Sequence, residues 1–141
     1  MAMDSKEYSR LSKVLAQLIF RAYGKEPSAY DDLEEQVIGA FVFGAHAAFS
    51  RLQGIPDWQT RIGMYEVLLD EFGFDYEMAG NALDFFYECR DTEGFNGPLN
   101  IVIQCGEKGF DLLEDLEELG RQIREIVYIM GDKLAVSDTN G

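Results

Sequence analysis

The stretch Val37-Ile-Gly-Ala-Phe-Val-Phe-Gly-Ala-His-Ala-Ala-Phe49 holds thirteen consecutive residues without a formal charge. It is shorter than the roughly 18 apolar residues that a membrane span needs. Its apolar side chains do not keep to one face at helical spacing, so a helix built from it must be covered on several sides. Six of its residues are small: Gly39, Ala40, Gly44, Ala45, Ala47 and Ala48. Each glycine costs a helix about 1 kcal/mol relative to alanine. That cost is recovered where a neighbouring helix must approach the axis closely. The stretch therefore predicts a buried central helix, and with it an all-α fold.

The flanking segments supply the helices that cover it. Residues 4–23 carry Tyr8, Leu11, Val14, Leu15, Leu18, Ile19 and Ala22 at three-to-four spacing, the pattern of an amphipathic helix. Gly24 and Pro27 then favour a stop. The central helix is expected to start at Ser28 as its cap, with Asp31, Asp32, Glu34 and Glu35 at the positive end of its dipole. It should end near Gln53, before Gly54 and Pro56. A third helix is predicted over 57–72, capped by Asp57, with Trp58, Ile62, Tyr65, Leu68, Leu69 and Phe72 as its buried stripe. A fourth runs from about Asp75 to Arg90, burying Met78, Ala82, Leu83, Phe86 and Cys89 or Phe85. Residues 91–97 read as a loop. From Pro98 to about Gly131 the helical period returns, and Gly106 and Gly109 are expected to break it into two pieces. The alternative of a short strand over 100–104 lacks a partner strand. Residues from Ser137 onward are small and polar and are expected to be mobile. The prediction is one all-α domain over 1–141, a bundle of five or six helices around a glycine- and alanine-rich hydrophobic helix, with its ordered core over about 4–134.

At 141 residues the chain suits a single domain. Its charge is unbalanced: 12 Lys and Arg against 26 Asp and Glu give a formal net charge of −14. Backbone-directed binding to nucleic acid and polybasic attachment to anionic lipid both need clustered positive charge, so neither is expected. An aromatic content of 13% argues against a disordered acidic tail. The first residues lack the apolar core of a secretory signal, which makes the cytoplasm the expected compartment. Cys89 and Cys105 lack the spacing of a zinc or redox pair and are expected to be reduced thiols in or near the core.

Catalytic readings find little support. His46 is the one histidine, and its place in the central apolar run reads as a buried structural residue. A carboxylate-bridged di-iron centre would need two histidines on bundle helices, and a zinc protease motif needs two as well. The order of acids around Asp70, Glu71, Asp75 and Glu77 does not match a calcium loop. Glu34 and Glu35 with Glu114, Glu117 and Glu118 invite comparison with all-α metal-dependent nucleotide pyrophosphatases. The third acid of one helix and the aspartate of the other are missing. No nucleophile sits in a recognised turn. No cofactor and no metal site are expected.

The distribution of charge is more informative. Lys6, Arg10, Lys13, Arg21 and Lys25 make the first helix locally basic. Between Ile62 and Glu93, Arg90 faces nine acids (Glu66, Asp70, Glu71, Asp75, Glu77, Asp84, Glu88, Asp91 and Glu93), and Asp111, Glu114, Asp115, Glu117 and Glu118 form a second acidic run. Tyr65, Phe74, Tyr76, Tyr87 and Phe95 are interleaved with the first acidic region. Aromatic side chains among acids make a surface suited to a basic protein: the field speeds encounter and the aromatics anchor it.

The run Gly39-Ala-Phe-Val-Phe-Gly-Ala-His-Ala-Ala-Phe49, followed by Met64-Tyr-Glu-Val-Leu-Leu-Asp-Glu-Phe-Gly-Phe-Asp75 and Asn100-Ile-Val-Ile-Gln-Cys-Gly-Glu-Lys-Gly109, resembles the small all-helical immunity proteins of bacterial polymorphic toxin systems. In that resemblance a glycine-containing hydrophobic helix precedes a helix that ends in an aromatic–glycine–aromatic turn. It covers roughly residues 33–110 and brings no shared catalytic residues. It implies a non-enzymatic cytoplasmic inhibitor that binds one cognate toxin, and toxins acting on nucleic acid or nucleotides are often basic around the site. Expected contact residues are Glu66, Asp70, Tyr76, Asp84, Glu88, Glu114 and Glu118, with Tyr76 as an anchor. The rival readings are the pyrophosphatase-like hydrolase and a structural or regulatory domain that forms homo-oligomers.

Overall fold

The computed structural model describes residues 3–91 and 97–139, with side chains of the last helix described as far as Asp132. Six α-helices follow one another: α1 (Ser5–Tyr23), α2 (Asp32–Leu52), α3 (Asp57–Asp70), α4 (Tyr76–Asp91), α5 (Gly97–Gly109) and α6 (Leu116–Thr139). They form a single all-α domain.

The ends of the helices have local causes. The Asp4 carboxylate accepts the Glu7 amide at 2.9 Å to start α1, and Gly24, at φ 90°, closes it by donating its amide to the Phe20 carbonyl. A glycine suits that left-handed position because it has no Cβ to clash. Ser28 does not cap α2. Pro27–Ala29 forms a short 3-10 turn, and α2 starts three residues later behind a reciprocal cap. The Asp31 side chain accepts the Glu34 amide at 2.8 Å, and the Glu34 carboxylate accepts the Asp31 amide at 3.0 Å. Two satisfied amides outcompete the single bond that Ser28 offers. α3 has Asp57 as its first residue rather than its cap and ends at Asp70. Phe72, Gly73 and Phe74 form the turn to α4, with Gly73 at φ 76° and the Phe74 amide on the Leu68 carbonyl at 3.1 Å.

α2 is buried continuously from Val37 to His46. It packs against α1, α3, α5 and α6. Val37, Ile38, Phe41 and Val42 are all at most 1% exposed, and burying side chains of that size contributes roughly 1.5–3 kcal/mol each. α5 approaches α2 closely. A Cβ at Gly44 would sit 2.0 Å from the Ile103 carbonyl oxygen, and one at Gly106 would sit 2.1 Å from the Phe41 carbonyl oxygen. Gly106 therefore does not break the helix as the sequence predicted. α5 runs through it, and the glycine lets two backbones touch. The break falls at Gly109, followed by a 3-10 turn over Phe110–Leu112. A third close approach joins α6 to α1, where a Cβ at Gly120 would lie 2.2 Å from the Ala22 carbonyl oxygen. Arg124 donates to that same carbonyl at 3.2 Å.

α4 takes its main backbone support from α3 and α5. The Phe86 ring reaches across to α2, where a Cβ on Gly39 would meet it at 2.7 Å. Cys89 and Cys105 are free thiols, the first buried and the second half-buried. The α6 backbone continues to Thr139, past the expected end near Gly131. Residues 140 and 141 of the expected mobile tail, and most of the expected 91–97 loop, lie outside the described residues.

Candidate functional site

His46 sits at the centre of a buried polar cluster. Its Nε2 lies 3.1 Å from the Tyr8 hydroxyl and 2.9 Å from the Ser12 hydroxyl, and Tyr8 also bonds Ser50 at 2.6 Å. All four side chains are at most 2% exposed. The bonds join α1 to α2, and α3 closes over them at Gly63, where a Cβ would lie 2.9 Å from the Tyr8 hydroxyl. Burial pushes the His46 pKa down to about 4, because the imidazolium form loses its water. At neutral pH the ring is therefore an uncharged hydrogen-bond partner held between two helices. The arrangement orients α1 against α2.

The contact residues expected from the sequence separate into two places. Glu66 and Asp70 lie on α3, and Tyr76, Asp84 and Glu88 on α4; these two helices pack together. Glu114 precedes α6 and Glu118 lies in its first turn. Several of these acids already have partners within the chain. Lys13 reaches Asp70 at 2.8 Å, and this contact raises the lysine's pKa. Arg61 reaches Asp84 at 3.6 Å. Ser9 donates to the half-buried Glu66. Arg121 reaches Glu118 at 2.6 Å and holds its carboxyl down to about 2. Glu77, Glu88 and Glu114 are exposed and make no ion pair among the described residues. Glu93 and Phe95 lie outside the described residues.

Trp58 is 66% exposed and Ile62 49%, although both were expected in the buried stripe. The inward face of α3 is Gly63, Met64, Val67 and Leu68. Met78, also expected inside, is 45% exposed. Trp58, Ile62, Tyr65 and Leu69 are spaced by four, three and four residues and so share a second side of α3. The Tyr65 hydroxyl donates to the Tyr76 carbonyl at 3.3 Å, which ties this stripe to the start of α4. The Tyr76 side chain is itself 76% exposed. Sequence reasoning missed Trp58 because α3 has apolar residues on two sides. The signal available was Gly63, which marks the side where another helix presses in.

The α3–α4 hairpin is consequently an acidic surface with exposed aromatic and aliphatic side chains. Residues 57–91 contain nine acids (Asp57, Glu66, Asp70, Glu71, Asp75, Glu77, Asp84, Glu88 and Asp91) and two bases, Arg61 and Arg90. Both guanidiniums lie over the Tyr87 ring, at 4.1 and 4.6 Å from its centroid. Arg90 also pairs with Asp91 at 2.8 Å. Cation–π stacking holds both bases against the hairpin, and the excess of acids sets the sign of the local field.

The two acid pairs considered for nucleotide chemistry do not converge. Leu33 lies against Gly131, about two thirds of the way along α6, whereas Glu114 precedes its first residue. Glu34 and Glu114 are therefore separated by most of a helix, on the order of 20 Å at 1.5 Å per residue. The Glu34 carboxylate is instead occupied by Tyr23, by Lys25 at 2.9 Å and by the Asp31 amide. Among the described residues no group of three or more His, Cys, Asp or Glu side chains is placed to hold a metal ion. No helix among them is long and apolar enough to cross a membrane.

Comparison with protein families matches residues 7–130 to the model described as immunity protein 48. No curated protein and no solved structure matches the chain.

Proposed function

The chain belongs to the immunity protein 48 family, and on that premise we propose that it neutralises a basic toxin through the outer face of the α3–α4 hairpin. An immunity protein acts by binding its toxin. The finer reading, which toxin surface it fits, rests on one observation: Trp58 and Tyr76 stand exposed on an acidic hairpin. Tryptophan and tyrosine supply much of the binding energy of protein interfaces when a partner desolvates them. Acids around them speed encounter with a basic surface and reject acidic ones. A hairpin whose longer helix has 16 residues is roughly 24 Å long, enough to contribute most of the ~800 Å² that one side of a standard interface buries.

Within this reading Trp58, Ile62 and Tyr76 are anchors. Asp70, Glu77, Asp84 and Glu88 provide charge complementarity, and Glu66 lies behind them. Glu114 and Glu118 belong to a separate acidic patch at the start of α6 and fall outside the contact. Binding without chemistry suffices: occluding the toxin's substrate site stops it.

The test uses the toxin encoded in the neighbouring reading frame. Co-expression of the wild-type chain should relieve growth arrest by the toxin. An inactive toxin variant should form a stable complex with it. Trp58→Ala and Tyr76→Ala should each weaken that complex by about 2 kcal/mol, while Glu114→Lys should leave it unchanged. A wild-type chain that forms no complex overturns the proposal. Equal affinities for all three variants would move the contact elsewhere on the fold.

A further inference from the structure

An apolar groove of about 350 Å³ runs between the first half of α2 and α4. That places it at the small end of the roughly 300–1,000 Å³ typical of ligand sites. It exists because α4 rests on α3 and α5, leaving a gap beside α2 that opens over Gly39. Leu68 and Phe72 are buried beneath it, Phe85 and Phe86 form the α4 wall, and Met78 and Ala82 stand at the mouth. Its polar lining residues are Glu35, Gln36 and Asn81, and no lysine or arginine lines it. Beyond the lining, acids adjoin the groove in sequence: Asp32 lies one turn before Glu35, and Asp75 and Glu77 precede Met78. Asp75 and Glu77 are exposed.

We propose that this groove receives one apolar side chain of the toxin, aromatic or long aliphatic, carried on a segment whose neighbouring residues are lysine or arginine. The inference rests on the immunity reading above and extends the contact from the outer face of α3–α4 around Met78 to the inner edge of α4. Apolar side chains exclude water from the groove floor, so an apolar group gains there, and the rim determines what flanks it. A second copy of this chain paired groove to groove would bring the same acids to the same rim and be repelled. An amphiphile with an anionic head would meet the same field. A basic segment relieves it. Glu35 makes the point locally: partial burial, and Asp32 near it, raise the pKa of its carboxyl, and a cation placed there would offset both effects.

Two variants and one probe test this. Ala82→Trp fills the groove, and Met78→Lys puts a positive charge at its exposed mouth, against the basic flanks of the segment. Each should raise the Kd for the inactive toxin at least tenfold while circular dichroism and melting temperature stay at wild-type values. Should Ala82→Trp fail to fold, Met78→Lys decides, since its site is exposed. The probe is a capped tripeptide with phenylalanine between two lysines. It should shift the methyl signals of Met78 and Ala82 in the free chain, and the version with two glutamates should not. Wild-type affinity in the folded variants, or equal shifts with both peptides, overturns the groove proposal and leaves the immunity reading standing. A wild-type chain that binds no toxin overturns that reading, and this inference falls with it.

Discussion

Acidification should weaken the fold through His46, by an amount the structure allows to be worked out. The folded chain holds the imidazole pKa at about 4, against 6.5 for the free side chain. At about 1.4 kcal/mol per decade of proton activity, that difference corresponds to about 3 kcal/mol in favour of the folded state when the ring is neutral. The folded pKa is the lower one, so the contribution is complete above the unfolded value of 6.5. It is lost as pH falls towards 4. By pH 5 about 2 kcal/mol should be gone, and that pH still lies above the isoelectric point near 4.3. Urea unfolding of the wild type and of His46→Gln at pH 8, 7, 6 and 5 isolates the effect, because the carboxylates titrate alike in both proteins. Glutamine retains partners for Tyr8 and Ser12 but does not ionise in this range. The stability advantage of the wild type should therefore shrink by about 2 kcal/mol between pH 8 and pH 5. Parallel curves would mean that His46 is solvated or charged in the folded state, and would refute the account of the buried cluster.

Gly44→Ala should destabilise the chain by about 2 kcal/mol in urea titrations, since an overpacked α2–α5 contact outweighs alanine's gain in helix propensity. Gly80→Ala, within α4 and with nothing within 4 Å of the new methyl, should instead stabilise it by up to about 1 kcal/mol. A stabilising Gly44→Ala would contradict the close backbone approach. Glu34→Ala removes half of the α2 capping box and the acceptor of Tyr23 and Lys25, and should cost about 2 kcal/mol by thermal melting. In native protein a thiol reagent should modify Cys105 well before Cys89, which is 0% exposed.

The parts of this fold that were legible in the sequence are those with a local cause. The run from Val37 to Phe49 specifies a buried helix by having no polar face, and Gly24 and Gly73 mark stops because only the local backbone decides them. The orientation of α3 was not legible in its period. Trp58, Ile62, Tyr65 and Leu69 make one apolar side, Met64, Val67 and Leu68 another, and periodicity gives no preference between two stripes. Only the neighbour selects, by pressing Tyr8 against Gly63. Gly106 was misread for the same reason: a glycine that ends a helix and one that admits a neighbouring backbone look alike in one dimension. The charge pattern was legible in its sum and not in its pairing. Lys13 and Asp70 are 57 residues apart, yet they form an ion pair. The structure thus removes part of the acidic run from the free field and leaves Glu77 and Glu88 exposed.

The central claim is that an acidic, aromatic α3–α4 face captures a basic toxin. The most direct test is the association rate with the inactive neighbouring toxin, measured for the wild type and for the Glu77→Lys/Glu88→Lys variant from about 50 to about 500 mM salt. The account predicts a wild-type rate that falls steeply with salt, and a variant that associates about tenfold more slowly at low salt and converges with the wild type at high salt. A wild-type rate indifferent to salt, with the variant equal to it throughout, would contradict the account.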